Sequence, residues 1–368
     1  MSETPKYRLI LDHLREGIRT GRFQTGRRLP SEMELARKYG VSRPTAVRAM
    51  QELQSLGLVE RRVGSGTYLR NSEAGSTQQS ATFGLLVSGL GNTEILDPIC
   101  SEITRAAEAH RHIVVRGTPG DLSAGEDFSP EQAETLCRQY IDRHVDGVFF
   151  APLELPENRV EVNQRMAESL TRAGIAVVLL DRDLLDFPQR SDFDLVGIDN
   201  FAAGFDLADC LLESGRRHLR FFARPSYPAT TDLRMAGCRE AMARRGLKVP
   251  RTWARFGDPA EPAAVKALLA RPTPDGIICS NDLTAAVLMQ TLGDLDVRVP
   301  TDLAVAGFDD VRYATLLSVP LTTMRQPCQS LGTVAVRTML ERLAEPALPP
   351  RQISLPATLV VRRSTARA

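Results

Sequence analysis

The stretch GVSRPTAVRAMQELQSLGLVERRVGSGTYL, residues 40–69, decides how the front of the chain is read. Ser42 is a good N-cap, and Pro44 falls in the first turn of the helix that follows, where a missing N–H costs nothing. Ala46, Ala49, Met50 and Leu53 recur at helical spacing as an inner stripe, and Gly57 stops the helix. LVERR and GTYLR then read as two strands around VGS, a hairpin with a glycine-rich tip.

Working upstream, residues 6–20 set Leu9, Ile10, Leu14 and Ile18 on one stripe of a first helix. In LPSEMELARKYG, Ser31 caps a second helix, Glu34 completes a capping box and Gly40 ends it. Three helices and a basic hairpin in this order form a winged helix-turn-helix. The third helix turns Arg43, Thr45 and Arg48 outward, which suits a major groove, where Arg pairs bidentately with guanine. Small residues at the VGSG tip let backbone approach a minor groove or phosphates, with Arg61, Arg62 and Arg70 alongside. Residues 1–70 carry 14 Lys+Arg against 7 Asp+Glu, a net of +7, and the remainder carries −6. On charge alone, a basic head on an acidic body reads equally as the part that meets a polyanion or as a solvated basic surface.

Residues 5–69 resemble the GntR-type DNA-binding domain from end to end, through LPSE.ELA, GVSR.T and G.GT. The resemblance implies DNA contacts from Ser31, Arg43, Pro44, Thr45 and the wing residues Gly64, Ser65, Gly66 and Thr67, with Arg48 as a substitute reader. Val47 stands where that family often has arginine, and Met33 where it has a basic or polar residue, so a different base preference is expected.

Residues 71–81, NSEAGSTQQSA, are small, polar and aperiodic, and read as a linker. After it, apolar runs alternate with helical patterns: FGLLVS (83–88), HIVVR (112–116), DGVFFA (146–151), IAVVLLD (175–181), DLVGID (194–199), HLRFFA (218–223), DGIICS (275–280) and LAVAGF (303–308). Continuous apolar strands between helices mean parallel sheets covered on both faces, and this many units exceed one sheet. The fold class is therefore α/β. A winged helix-turn-helix (1–70), a linker (71–81) and a two-lobed domain of doubly wound parallel sheets (82–368) are expected.

Ligands of open α/β sheets bind beyond the strands' carboxyl ends. Asp181, Asn281 with Asp282, and Asp309 with Asp310 sit there, each able to hold a ligand or to cap the next helix. Asp282 and Asp310 are taken as the caps. Arg234, on a helix with Met235, Cys238, Met242 and Leu247 as its apolar face, reads equally as a solvated arginine or a site residue.

Residues 83–365 resemble the LacI-family effector domain, related to periplasmic sugar-binding proteins, most specifically through PDGIICSNDLTAAVLMQTL and VPTDLAVAGFDDVRYATLLSVPLTTMRQP. The resemblance implies ligand contacts from Asp181, Arg234, Asn281 and Asp309, with Thr230, Phe256 and Gln326 beside them. The first-strand loop departs from the family's NPFF as NTEILDP, which makes Ile95 and Leu96 candidate lining residues. A GntR-type reader on a LacI-type sensor resembles the arabinose-responsive repressors of this architecture. It implies a ligand-controlled homodimeric repressor of double-stranded operator DNA, with a sugar as effector.

Other classes find little support. Five histidines (His13, His110, His112, His144, His218) show no ligand spacing, and GxSxG, P-loop and GxGxxG motifs are missing, so neither an enzyme nor a cofactor is expected. His110 and His112 are placed at a helix-to-strand junction. Six scattered cysteines without CxxC pairs suit free thiols in a reducing cytoplasm. No apolar run reaches membrane-helix length, and the first residues lack a secretory h-region, which argues against a transport binding protein.

Overall fold

The computed structural model describes residues 29–55, 59–62, 66–69, 80–87, 94–117, 128–154, 158–225 and 227–366, with single positions at 7, 10, 11, 13, 14, 17 and 23. The chain divides into two compact units, residues 1–79 and 80–368.

In the first unit the described positions between 7 and 17 are helical. Ile10 and Leu14 of the expected stripe are fully buried, whereas Leu9 and Ile18 lie outside the described residues. Helix α1 (Glu32–Tyr39) begins on the expected capping box: Glu34 N donates to Ser31 Oγ at 3.2 Å, and Ser31 N donates to Glu34 Oε2 at 2.6 Å. Gly40 closes it in the left-handed region, φ 59°, where a side chain would be strained. Helix α2 (Arg43–Ser55) buries Ala46, Ala49, Met50 and Leu53 against Ile10, Leu14 and Leu35. Strands β1 (Val59–Arg62) and β2 (Gly66–Leu69) pair antiparallel, Arg61 opposite Thr67 and Arg62 opposite Gly66. Leu29 N donates to Thr67 O at 2.8 Å and ties the hairpin back to the helices.

The second unit holds two six-stranded sheets. The first contains β3 (Thr82–Val87), β4 (Ile113–Arg116), β5 (Gly147–Ala151), β6 (Ala176–Leu180), β7 (Asp194–Ile198) and β13 (Gln352–Leu355). Its order is β13-β7-β6-β5-β3-β4, all parallel. The second contains β8 (Leu219–Ala223), β9 (Ala254–Phe256), β10 (Gly276–Cys279), β11 (Ala304–Asp309), β12 (Thr322–Arg325) and β14 (Thr358–Val360). Its order is β14-β12-β11-β10-β8-β9, parallel except for the edge strand β14.

Helices α3 (Leu96–Ala109), α4 (Pro130–Asp142), α5 (Arg159–Arg172) and α10 (Cys328–Ala344) cover the first sheet. The second is covered by α6 (Asn200–Glu213), α7 (Thr230–Arg244), α8 (Pro262–Leu268) and α9 (Asp282–Asp294). The chain therefore passes between lobes three times: from β7 into α6, from β12 into α10, and from β13 to β14. All six cysteines are unpaired. His110 and His112 lie between α3 and β4. Among the described residues no helix is long and apolar enough to cross a membrane.

Candidate functional site

Two places gather chemistry. In the first unit, Arg43 opens α2 and is exposed together with Pro44 and Arg48, while Thr45 is half-buried. Ser42 Oγ and Thr45 Oγ1 lie 2.8 Å apart, so the Thr45 hydroxyl already has a neighbour. The Arg48 guanidinium stacks 4.3 Å from the Tyr7 ring centroid, which anchors it to the first helix. That stacking was invisible in the spacing, and it draws Arg48 back from the tip of the helix that Arg43 occupies. Gly66 and Thr67 sit at the start of β2, Gly66 at φ 126°, and Gly64 and Ser65 lie outside the described residues. Met33 is 60% exposed on α1.

In the second unit the strand ends converge as expected for two doubly wound sheets. Asp181 follows β6, and Asp309 ends β11. Both hold positive φ, 66° and 110°, and Asp310 holds 54°. Residues other than glycine rarely occupy that region, and such strain concentrates at functional sites. Arg234, on α7, is not a solvated arginine: it is 4% exposed. Its Nε donates to Asn200 Oδ1 at 2.9 Å and its Nη1 to Ser280 O at 2.6 Å. Its guanidinium lies 4.6 Å from the Phe308 ring centroid, and Nη2 stands 3.8 Å from Asp309 Oδ1. Gln326 Nε2 donates to the same Asp309 oxygen at 2.8 Å.

Close backbone packing fixes this arginine. A Cβ on Gly204 of α6 would lie 2.1 Å from Arg234 O, and one on Gly237 of α7 would lie 2.0 Å from Phe201 O. Only glycine allows the two helices to approach so far.

Of the seven residues expected around a ligand, Asp181, Arg234, Asp309 and Gln326 form one electrostatically linked group, with Thr230 one turn before Arg234. Asp181 Oδ1, Thr230 Oγ1 and Gln326 Oε1 are buried with no partner among the described residues. Asn281 is half-buried and caps α9, its Oδ1 accepting from Thr284 N at 2.8 Å. Phe256 is 47% exposed at the end of β9 and stacks on Tyr227, 5.3 Å between centroids.

Two expectations are corrected. Asp282 is not a cap. Its carboxylate lies inside, accepting from Thr323 Oγ1 at 2.6 Å and Val311 N at 3.1 Å, because Asn281 has taken the cap. Asp310 is not a cap either: Arg325 and Arg362 bind its two oxygens, each at 2.6 Å. Ile95 and Leu96, at the start of α3, are buried in the apolar core. Their neighbour Glu94 instead hydrogen-bonds Tyr313 of the other lobe. Residues the sequence reading passed over include Asn200, Arg182 and Glu94. Asn200 stands just past the end of β7, so the strand-end rule that picked out Asp181 would have found it. Arg182 is buried between Asp181 and Glu154.

The acids of the site share a common displacement. Burial pushes the Asp181 carboxyl up to about 6; Arg234 opposes this, and the Asp309 charge adds to it. Asp309 is raised by burial and held back by Arg234 and Gln326. Burial also raises Glu94 against its bond from Tyr313. Arg234 and Arg182 thus face several reluctant carboxylates, a hydrogen-bonding surface able to accept from hydroxyls. Among the described residues no three His, Cys, Asp or Glu side chains gather as a metal site.

A helix-turn-helix with an exposed arginine at its third helix, followed by a two-lobed sheet domain with partnerless polar atoms between its strand ends, defines a ligand-sensing DNA-binding regulator. Comparison with known proteins places it further. Residues 6–69 match the bacterial regulatory proteins of the gntR family, and residues 208–365 match the periplasmic binding protein-like domain. The arabinose metabolism transcriptional repressor of Geobacillus stearothermophilus is 25% identical over 98% of this chain and 98% of its own. The HTH-type transcriptional repressor PurR of Shigella dysenteriae is 30% identical over 64% of this chain and 68% of its own. A solved transcriptional regulator CelR–cellobiose complex shares the fold, with a TM-score of 0.65, 24% identity and coverage of 91% of this chain and 100% of that one. The chain belongs to the LacI-type transcriptional regulators, with a gntR-family DNA-binding domain at its front.

Proposed function

We propose that this regulator is a homodimeric, cytoplasmic repressor whose affinity for operator DNA changes when a sugar enters between the lobes of residues 82–368. The observation that carries the reading is the buried group of Arg234, Asp309 and Gln326 facing Asp181. Buried polar atoms without partners cost free energy, so Asp181 Oδ1, Thr230 Oγ1 and Gln326 Oε1 favour a ligand rich in hydroxyls. Arg234 Nη2 is too far from Asp309, at 3.8 Å, for a hydrogen bond, and keeps donors for that ligand. The names of the relatives, arabinose for one and cellobiose for another, support the sugar class. That relatives are regulators supports a sensor rather than an enzyme.

On the DNA side, Arg43 reads a base edge, while Ser31, Pro44, Thr45 and the wing from Gly64 to Thr67 fit phosphates and sugar. Arg48 serves as backing rather than as the principal reader. Residues 71–79 act as a linker, Ser80 and Ala81 being bonded to Arg111 and His112 of the body, and pairing of two bodies spaces two heads on a pseudo-palindrome.

The test begins with duplexes selected from a random pool by the full-length protein. Each is titrated in the presence of mono- and disaccharides, with calorimetry on the same sugars. One sugar should shift DNA affinity roughly 5- to 150-fold, the usual span of coupling. Arg234→Ala and Asp309→Ala should abolish the shift and the heat of binding while leaving DNA affinity without sugar intact. Retained sugar binding in both variants removes this pocket from the account.

A further inference from the structure

Beside the polar group lies a cavity of about 190 Å³, formed by loop 181–190, strand β7 and the start of α7. Its wall is largely apolar, from Leu185, Phe187, Pro188, Ile198 and Leu233. Asp181, Asn200 and Thr230 line it too, and all three connect it to the site: Asn200 holds Arg234, Asp181 feels the charges of Arg234 and Asp309, and Thr230 precedes Arg234 by one turn. Asp181 and Thr230 give the cavity its polar side toward the site.

The charges around the cavity are matched within the protein. Arg182 pairs with Asp181 and Glu154, and Arg190 pairs with Asp183 and Gln352. An anion finds no unspent cation there, and a bare polyol finds too few polar partners on the apolar wall. Phe187 is 56% exposed beside this wall and has apolar surface left to bury. An apolar cavity of roughly 150 Å³ already admits benzene, so the volume suits a six-membered ring or a branched alkyl group.

We propose that this cavity is a second compartment of the effector site and receives an apolar aglycone, aryl or branched alkyl, carried by the sugar that Arg234, Asp309 and Gln326 hold. The effector is a glycoside, not a free monosaccharide. The proposal rests on the sugar-sensor reading above and narrows it.

Full-length protein is titrated by calorimetry with matched methyl and 4-nitrophenyl glycosides of common pentoses and hexoses, both anomers. For a sugar that binds as its methyl glycoside, the nitrophenyl glycoside should bind at least tenfold more tightly. Leu185→Trp and Leu233→Trp each fill the cavity, and should bring the pair within twofold while keeping methyl glycoside affinity, which also reports that the variant is folded. Equal affinities in the wild type overturn the compartment and leave the sugar reading standing. A nitrophenyl advantage that survives both tryptophans also overturns it. Binding of no glycoside of either kind overturns the sugar reading and this proposal together. The wild-type comparison decides even if the variants fail to fold.

Discussion

Asp181 is placed where its proton matters near neutral pH. Its carboxyl, pushed up to about 6 by burial, binds a proton more tightly in the fold than in the unfolded chain, where it titrates near ~3.9. Its contribution to stability is thus complete below about pH 4, and is lost as pH rises through about 6. Asp181→Asn removes this titration, so its stability relative to wild type should rise by on the order of 2 kcal/mol between pH 4 and pH 7.5, whatever the loss of the Arg182 contact costs at both; denaturant titrations at the two pH values measure it. Hydroxyls donated to the ionised carboxylate favour its charged form, so ligand binding should release a proton and strengthen from pH 5 to 7. Calorimetry in buffers of different ionisation enthalpy reads that proton; a ligand affinity flat across this range would remove Asp181 from contact. Arg234 sets a stricter requirement, because its hydrogen bonds to Asn200 and Ser280, with Nη2 left toward Asp309 and the ligand, need a guanidinium fork. Arg234→Lys keeps the charge but not the fork, and should lose at least tenfold in ligand affinity by calorimetry.

At the level of elements, the α6–α7 crossing is the most constrained part of the site. Gly204→Ala drives a methyl into Arg234 O and should cost about 1–3 kcal/mol of stability with a parallel loss of ligand affinity. Gly293→Ala on α9, where an added methyl meets no described residue within 4 Å, should do neither. The head supplies a second test. Ser31→Ala removes the capping box and should lower the stability of the DNA-binding unit by about 1 kcal/mol. Ser31→Asp keeps a cap, so its thermal transition should hold while the carboxylate repels phosphate and DNA affinity falls. The elements legible from sequence were those with one dominant signal. The capping box at Ser31 and Glu34 and the apolar runs of β5 and β6 declared themselves because local chemistry and burial agree there. Strand β12 did not: it is buried, but through threonines whose hydroxyls bond Asp282 and Thr365, so no apolar run announces it. Strands β9, β13 and β14 are short and half-exposed at sheet edges, and their pairing is decided by distant partners. The same limit governed the site. Asp181 and Asp309 stood at strand ends in plain view, but whether Asn281 or Asp282 would cap α9 depended on Thr323, 41 residues away.

For the whole molecule, charge and topology divide the work between the two units. The head carries +7 and the remainder −6, so electrostatic attraction to DNA resides in the head. The body's three chain crossings between lobes permit hinge motion, and Glu94–Tyr313 and Arg159–Tyr227 bridge the cleft. If the effector acts by changing the separation of two heads rather than the grip of each, two perturbations should separate cleanly. Arg43→Ala removes one cation per head. It should weaken DNA binding and lower the slope of log affinity against log salt by about 1 for each head engaged, about 2 for a dimer, if the arginine also neutralises a phosphate. An undiminished slope with specificity relaxed at one position would instead make Arg43 a pure base reader. In either case the fold-change produced by the effector should match wild type, since the sensing group in the body is untouched. Arg234→Ala should show the reverse: wild-type affinity and salt slope without effector, and no response to it. Fluorescence anisotropy on one selected duplex, across salt with and without effector, measures all four quantities. A loss of effector response in Arg43→Ala, or an altered salt slope in Arg234→Ala, would mean that ligand and DNA act on a shared structural element, and that head spacing alone does not transmit the signal.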